Sequence, residues 1–242
     1  MNKPRRLESY AEGIPGVDLE DLPGWLIVIE GPDHAGRSTH VSRLRAHLER
    51  LGYAVAETGL SRSDLASRGL RRAKQGNTLG TNAFNLYYAT DFADRLERQI
   101  VPALRAGFVM LTDRYIWSLI ARAIARGADR DWIKNVYSFA LRPDAVFYLR
   151  AEVEALVPRV LADGGFDYWE SGMDLPMGED LYESFMKYQR RVIQELDALG
   201  TEYGFETIDA TRPVDENAEY LAERVSAMLA VTESEREGRT SA

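Results

Sequence analysis

The sequence predicts an α/β fold in which helices cover both faces of a five-stranded parallel sheet, and two observations support this fold class. Short apolar runs of strand length recur along the chain, and a stretch long enough for a helix separates each run from the next. Of the 242 residues, 45% are hydrophobic and 28% are charged, which is enough apolar material for a sizeable core. We therefore expect a single soluble globular domain.

The apolar runs define the expected strands. The first run, WLIVIE, is almost continuously apolar, as expected for a strand that is buried on both faces of a sheet. Strands joined by intervening helices imply parallel pairing. The five predicted strands are 25–30, 53–58, 108–113, 145–150 and 205–210.

The first helix should follow the first strand directly, because an apolar stripe at helical spacing begins there and Gly52 ends it. That stripe consists of Val41, Leu44, Leu48 and Leu51. We assign residues 25–231 to the folded domain. Residues 1–24 are expected to form a poorly packed N-terminal extension, and the polar residues 232–242 a disordered tail.

Charge and cysteine content exclude several classes of function. The formal net charge of −8 argues against nucleic acid as a partner. The chain has no cysteine, so it has no disulfide, zinc thiolate site or thiol nucleophile. No apolar run approaches the ~20 residues of a membrane span, and we expect a cytoplasmic protein without a membrane partner.

A glycine-rich loop lies between the first strand and the first helix. It reads GPDHAGRST over residues 31–39, with two glycines in the G-x-x-x-x-G spacing of a phosphate-binding loop. Converging backbone amides and the helix N-terminus would favour a phosphate there, and the Ser38 hydroxyl would ligate Mg²⁺. Arg37 stands where such loops carry lysine. The predicted nucleotide-binding residues are Gly31, Asp33, His34, Ala35, Gly36, Arg37, Ser38 and Thr39.

Several segments together resemble the thymidylate kinase family, a group of nucleoside monophosphate kinases with the P-loop NTPase fold and a short lid. The loop carries the family's acidic residue at Asp33, and DRYIWS resembles its Asp-Arg-Tyr-x-x-Ser motif. The resemblance extends over about residues 25 to 230. The remaining similar segments are SRSDLASRGL (61–70), NLYYATDFADRLERQIVPALRAG (85–107), GGFDYWES (164–171) and IDAT (208–211).

The resemblance implies roles around the phosphate donor, with ATP and Mg²⁺ as cofactors. Arg37 and the loop amides would hold the terminal phosphates of ATP, and Ser38 would bind the magnesium ion. Asp113 would organise the metal and its waters. Arg159 would close over the donor from the lid. The predicted catalytic residues are therefore Arg37, Asp113, Arg114 and Arg159.

The resemblance also implies an acceptor site. Arg114 and Arg62 would grip the acceptor monophosphate, because guanidinium groups suit phosphate oxygens. Asp33 would accept a hydrogen bond from the sugar 3′-hydroxyl, Tyr88 would stack on the base, and Glu170 matches the acidic end of the lid motif. Tyr88 could equally be core packing, and Arg62 belongs to a basic stretch that could be a solvated face.

The chain departs from the family pattern at the expected base site. Phe92 stands where the family has an arginine that reaches thymine, which predicts weak discrimination among pyrimidines. Arg95, one turn further along, and Arg122 are candidates to substitute for it. The lid also lacks the arginine that often follows its aspartate.

The leading functional hypothesis is ATP-dependent phosphorylation of a nucleoside monophosphate, with dTMP as the acceptor and dTDP as the product. One alternative is a kinase of the same fold that acts on another pyrimidine or a modified nucleotide. A second is a non-catalytic nucleotide-binding regulatory protein. The expected partners are small nucleotide substrates and, by resemblance, a second copy of the chain in a homodimer. His40 and His47 are expected on the surface.

Overall fold

The computed structural model describes residues 7–11, 13–76, 79–175 and 177–240, with the backbone alone for 231–240. Five strands form one sheet in the order β2-β3-β1-β4-β5, and every pair of neighbours is parallel. The predicted sheet is thereby confirmed. The strands are β1 (Trp25–Glu30), β2 (Val55–Gly59), β3 (Val109–Asp113), β4 (Ala145–Arg150) and β5 (Glu206–Asp209).

Helices cover both faces of the sheet, as predicted. A wider helical turn, Leu96–Ile100, joins the third helix to the fourth, and a short 3₁₀ turn spans Leu19–Asp21. The helices are α1 (Arg37–Arg50), α2 (Ser67–Gly76), α3 (Thr81–Arg95), α4 (Val101–Arg105), α5 (Ile116–Ala125), α6 (Arg130–Val136), α7 (Val153–Ala162), α8 (Leu181–Tyr203) and α9 (Val214–Thr240).

The core is divided into two layers by the sheet. Leu26 and Val28 of β1 pack with residues of α3, α5 and α8 on one face. Ile27 and Ile29 pack with residues of α1, α7 and α9 on the other. Successive side chains of a strand point to opposite faces, so a strand that is covered on both sides must be apolar at every position.

Helix α1 differs from the prediction at two positions. Val41, Leu44 and Leu48 are buried as expected, but Leu51 follows the last helical residue and is 54% exposed. His40, expected on the surface, is buried. Its ring lies against the turn that begins the helix, where Nδ1 is 2.8 Å from the Gly36 carbonyl oxygen.

The N-terminal segment is more closely packed than the sequence suggests. Leu7, Ile14 and Leu22 are buried in the core, and the Tyr10 amide donates to the Ala140 carbonyl at 3.1 Å. The expectation of a poorly packed extension over 1–24 therefore fails for its described part, because three apolar side chains anchor it. Residues 1–6 and 12 lie outside the described residues.

The C-terminal segment also differs from the expectation. Helix α9 continues to Thr240 and includes most of the predicted tail. This stretch has no proline and is rich in glutamate and arginine, which are good helix formers, so its polarity does not prevent helix formation. Residues 241 and 242 lie outside the described residues.

The strand order determines where a site can form. In the register of the sheet, Ile29 of β1 lies beside Asp113, the last residue of β3. The loop before α1 and the segment after β3 therefore leave the sheet side by side, which is where parallel α/β sheets bind ligands. Within the described ranges, no helix combines the length and apolar composition needed to cross a membrane.

Candidate active site

Two neighbouring cavities lie beyond the ends of β1 and β3. The loop cavity, of about 460 Å³, lies over the segment between β1 and α1. The aromatic cavity, of about 350 Å³, has Phe84, Tyr88 and Trp169 in its wall. Arg114 and Glu170 line both cavities, so the two spaces adjoin each other.

The glycine loop, residues 31–36, has a conformation that needs its two glycines. A β carbon on Gly31 would lie 2.7 Å from the Leu149 carbonyl oxygen, which is a severe clash. Gly36 has a φ of 88°, in the left-handed region, and directly precedes α1. Gly36, Ser38 and Thr39 line the loop cavity at the start of this helix, where free amides and the helix dipole favour an anion. Ala35, by contrast, packs into the core.

Arg37 and Ser38 both bind the carboxylate of Asp113. Arg37 Nε donates to Asp113 Oδ1 at 2.8 Å, and Ser38 Oγ donates to Oδ2 at 2.6 Å. Arg37 Nη1 also donates to the Gly31 carbonyl at 2.8 Å. Burial alone would raise the pKa of Asp113, but the charges of Arg37 and Arg114 outweigh it and hold that pKa below its ordinary value. The arginine in the lysine position thus ties the loop to the end of β3.

Asp33 is the centre of a second, buried network. Arg114 and Arg122 both donate to its carboxylate, the latter at 2.6 Å, and Gln189 Nε2 donates at 3.0 Å. Burial would raise the pKa of Asp33, but the two guanidinium groups hold it well below the usual range. The structure therefore brings together Asp33, Arg114 and Arg122, three of the predicted site residues.

Arg114 is held in an unusual conformation directly after β3. Its φ is 69°, and its amide donates to the Ile29 carbonyl at 3.0 Å. Burial and the nearby charge of Arg37 lower the pKa of Arg114 to about 10, and its Nε has no hydrogen-bond partner among the described residues. Its guanidinium therefore retains the capacity to bind an anion such as a phosphate.

The lid segment, residues 163–175, contacts the glycine loop from above. His34 Nε2 lies 3.0 Å from Glu170 Oε2, and His34 Nδ1 lies 3.4 Å from Asp163. Arg159, just before this segment, donates through Nη1 to the His34 carbonyl at 3.3 Å and through Nη2 to the Ala210 carbonyl at 2.7 Å. The predicted lid residues Arg159 and Glu170 both reach the loop.

The aromatic cavity offers flat apolar walls. Phe84 stacks on Trp169, with ring centroids 5.3 Å apart and planes 19° from parallel. Tyr88 meets the Phe84 ring edge-on at 5.1 Å. Walls of this kind suit a flat heterocycle such as a nucleobase. Tyr88 lines this cavity and is not a fully buried core residue.

Arg62 lies near the ends of β2 and β3. Its side chain is 51% exposed, and Nη1 is 4.0 Å from Glu57 Oε1. It lines a separate cavity with Ser38 and Asp113 and does not line the aromatic cavity. The guanidinium is half-exposed and could approach an anion near Asp113.

Phe92 and Arg95, two predicted substrate-binding residues, line neither of the two cavities. Phe92 is buried against Tyr115, Tyr137 and Phe139. Arg95 is fully buried and pairs with Asp91 at 3.0 Å. Both side chains lie on the core side of α3, where apolar packing and this ion pair hold them. The prediction that Phe92 lies at the substrate site is therefore wrong for this structure.

Sequence reasoning missed Gln189 as well as the aromatic partners Phe84 and Trp169. Gln189 is fully buried on α8 and joins Asp33 to the lid by donating to the Glu170 carbonyl at 2.8 Å. A signal was available, since Gln189 lies between Tyr188 and Val192 in the inward stripe of α8, and a polar residue there needs a partner.

The site combines three features: a glycine loop at a helix N-terminus, a strand-end aspartate beside a serine hydroxyl, and arginines around an adjoining aromatic cavity. Together they are typical of P-loop phosphotransferases. Comparison with known proteins identifies the family within this class. The model of the family described as thymidylate kinase matches residues 29–220. The chain therefore belongs to the thymidylate kinase family, and it is a phosphotransferase of the nucleoside monophosphate kinase type.

Relatives from archaea and bacteria are similar over most of their length. "Probable thymidylate kinase 2" of Saccharolobus solfataricus is 38% identical over 196 residues, which cover 80% of this chain and 91% of that protein. "Probable thymidylate kinase" of Pyrobaculum aerophilum is 29% identical over 204 residues, covering 84% and 97%. "Thymidylate kinase" of Brachyspira hyodysenteriae is 30% identical over 166 residues, covering 68% and 82%.

Proposed function

We propose that this protein transfers the terminal phosphoryl group of ATP to dTMP, giving dTDP and ADP. One observation carries the proposal: the loop cavity and the aromatic cavity share Arg114 and Glu170 in their walls. A donor phosphate on the glycine loop and an acceptor base in the aromatic cavity would therefore place the two reacting phosphates between the cavities. Family membership supports the choice of substrates.

In this reaction an oxygen of the dTMP phosphate attacks the γ-phosphorus of ATP, and the bond from that phosphorus to the bridging oxygen of ADP breaks. Little covalent chemistry is asked of the protein, so positioning and charge stabilisation dominate. The loop amides and Arg37 would hold the donor phosphates. Arg114, with its unpaired Nε, and the exposed Arg62 would hold the acceptor phosphate in line.

The residues present also fit a magnesium ion. Ser38 Oγ and Asp113 Oδ2 are 2.6 Å apart and supply the hard oxygen ligands that Mg²⁺ prefers. When bound, the ion would neutralise charge on the donor phosphates. Asp33, which pairs with Arg122, would orient the acceptor sugar. Arg159, which donates to the His34 carbonyl, would close the lid over the donor.

The test is ADP release in a coupled assay over a panel of dTMP, dUMP, dCMP, UMP and dGMP. We expect turnover with pyrimidine deoxynucleotides and the highest kcat/KM with dTMP. A higher kcat/KM with another pyrimidine would favour the first alternative, a kinase with a different acceptor. No ADP release with any monophosphate would contradict the proposal and favour a regulatory nucleotide-binding protein.

The variant Asp113→Asn tests the assigned chemistry. It keeps the shape of the side chain but removes the charge beside Ser38, so we expect kcat to fall at least about a hundredfold while ATP affinity changes little. Asp131→Asn, an exposed position at the start of α6, makes the same charge change away from the site and should retain wild-type kcat. Wild-type turnover by Asp113→Asn would remove Asp113 from the mechanism.

We also propose a homodimer, as the resemblance implies. Leu65, shortly before α2, and Leu86, on α3, are candidates for the interface, because they expose 69% and 48% of their surface. Light scattering should give twice the chain mass, and a monomer at micromolar concentration would contradict the proposal. A cytoplasmic location stays a prediction from the sequence.

A further inference from the structure

Asn85 on α3 has a buried side-chain amide nitrogen without a hydrogen-bond partner in the part of the chain that the structure describes. The residue is only 6% exposed, and it lines the aromatic cavity together with Tyr88, which lies one helical turn further along. Its Nδ2 has no hydrogen-bond partner among the described residues. A buried amide without a partner is costly, and native proteins rarely tolerate one unless a water or a ligand supplies the missing bond.

Two of the charged neighbours of Asn85 in the same cavity, Arg122 and Arg126, already make internal hydrogen bonds. Arg122 donates to Asp33 at 2.6 Å. Arg126 donates to Asp174 at 3.0 Å and to the Trp169 carbonyl at 2.9 Å. Each of these two guanidinium groups would have to break its hydrogen bonds to the protein in order to bind a base. Asn85 Nδ2 would break none, since it has no partner among the described residues.

We infer that the Asn85 amide reads the hydrogen-bonding edge of the acceptor pyrimidine, an inference that rests on the proposed function. Nδ2 can donate to the C4 carbonyl oxygen of thymine while Oδ1 accepts from its N3–H. Asn85 lies about two turns before Phe92 on α3 and, unlike Phe92, it lines the aromatic cavity. It would supply the base contact that the family's arginine supplies at position 92.

The chemistry of an amide also sets the selectivity. A half-turn of the amide exchanges its donor and acceptor, and the exchanged pattern matches the N4 amino group and N3 of cytosine. Asn85 therefore favours pyrimidines with a free edge but contributes little to the choice between thymine and cytosine. Contacts at the C5 methyl group would have to supply that choice.

The test measures the equilibrium affinity of two ligands for two proteins, the wild type and the variant Asn85→Leu, and compares the four values. We expect the wild type to bind dTMP about ten- to a hundredfold more tightly than N3-methyl-dTMP, in which the N3–H is replaced. Asn85→Leu, which is close in size but apolar, should bind the two with nearly equal affinity. Asn82→Leu makes the same replacement one turn earlier at an exposed position and should keep the wild-type ratio.

Two outcomes would overturn the inference: a wild type that does not discriminate between the ligands, or an Asn85→Leu protein that discriminates as the wild type does. If Asn85→Leu does not fold, Asn85→Ala makes the same comparison with a smaller side chain. Turnover of the wild type reports the proposed function separately. A protein that binds dTMP through Asn85 but releases no ADP would contradict only the catalytic proposal.

Discussion

At the scale of single residues, Phe92 is the side chain whose role the structure changes most. In the sequence it stands where the family has an arginine that reaches the thymine base. The sequence therefore predicts the loss of a hydrogen bond to that base. In the structure it packs against Tyr115, Tyr137 and Phe139, and the Arg95 guanidinium lies 5.5 Å from its ring centre. Position 92 belongs to the core of this protein, and substitution there acts on stability.

We expect Phe92→Arg to destabilise the fold and not to sharpen base selectivity. A second guanidinium beside Arg95, buried without a carboxylate of its own, should cost about 3–5 kcal/mol of unfolding free energy. Urea denaturation measures the loss. Phe92→Leu keeps the site apolar and should cost clearly less. A Phe92→Arg protein of wild-type stability would show that the position can open to solvent.

The candidate site was predictable wherever a motif sets the residue type. Gly31, Ser38 and Asp113 were found because a phosphate-binding loop and a strand-end carboxylate have few alternatives. Gln189 on α8 and Asn85 on α3 were missed because their roles depend on which groups pack against those helices. A single helix pattern does not contain that information.

At the scale of elements, the start of α1 combines an anion site with a buried histidine. The Gly36 carbonyl can only accept, so His40 Nδ1 carries the proton of the neutral ring, and Nε2 is left without a partner among the described residues. Burial lowers the pKa of His40, because protonation would place a charge in a largely buried contact. The helix start is thus held by a neutral imidazole.

We expect this helix start to weaken in mild acid. The unfolded chain binds a proton at His40 near pH 6.5 while the folded chain resists it, so the free energy of unfolding should fall as the pH drops below that value. The fall between pH 7.5 and 5.5 should reach up to about 1 kcal/mol for this group.

Urea denaturation at the two pH values measures the effect. His40→Asn keeps a donor for the Gly36 carbonyl and should lose less stability over the interval than the wild type. His47→Asn, on the same helix with His40 intact, should retain the wild-type fall. An identical fall in His40→Asn and the wild type would assign the pH dependence to other groups.

The elements themselves were the most predictable part of the fold. All five predicted strands exist, and β1 and β4 have the predicted bounds, because long apolar runs between helices leave little choice. The two chain ends were less predictable. Their sequences are polar on average, and the few apolar anchors at Leu7 and Ile14 gain their meaning only from the surface they meet.

At the scale of the whole molecule, hydrogen bonds link the glycine loop, the lid segment and α8 into one connected region. The glycine loop contacts the lid through His34 and Glu170, and the lid contacts α8 through Gln189. A ligand on the loop would therefore be coupled to much of the fold.

We expect Mg·ATP to stabilise the whole protein against heat. A ligand that binds only the native state contributes about 2.7 kcal/mol at a hundredfold excess over Kd. Differential scanning calorimetry with millimolar Mg·ATP should show a higher Tm than the same protein with Mg²⁺ alone. Equal melting curves would contradict a donor site on the glycine loop.

The Asp33 network joins parts of the chain that are far apart in sequence. Its partners Arg122 and Gln189 are 89 and 156 positions away, on α5 and α8. If the chain were divided within the exposed Asp163–Gly164 stretch, one fragment would carry Asp33 and the other Gln189. Neither half would hold a complete site, so recovery of activity on mixing would report reassembly, and the protein offers a design for a split-enzyme sensor.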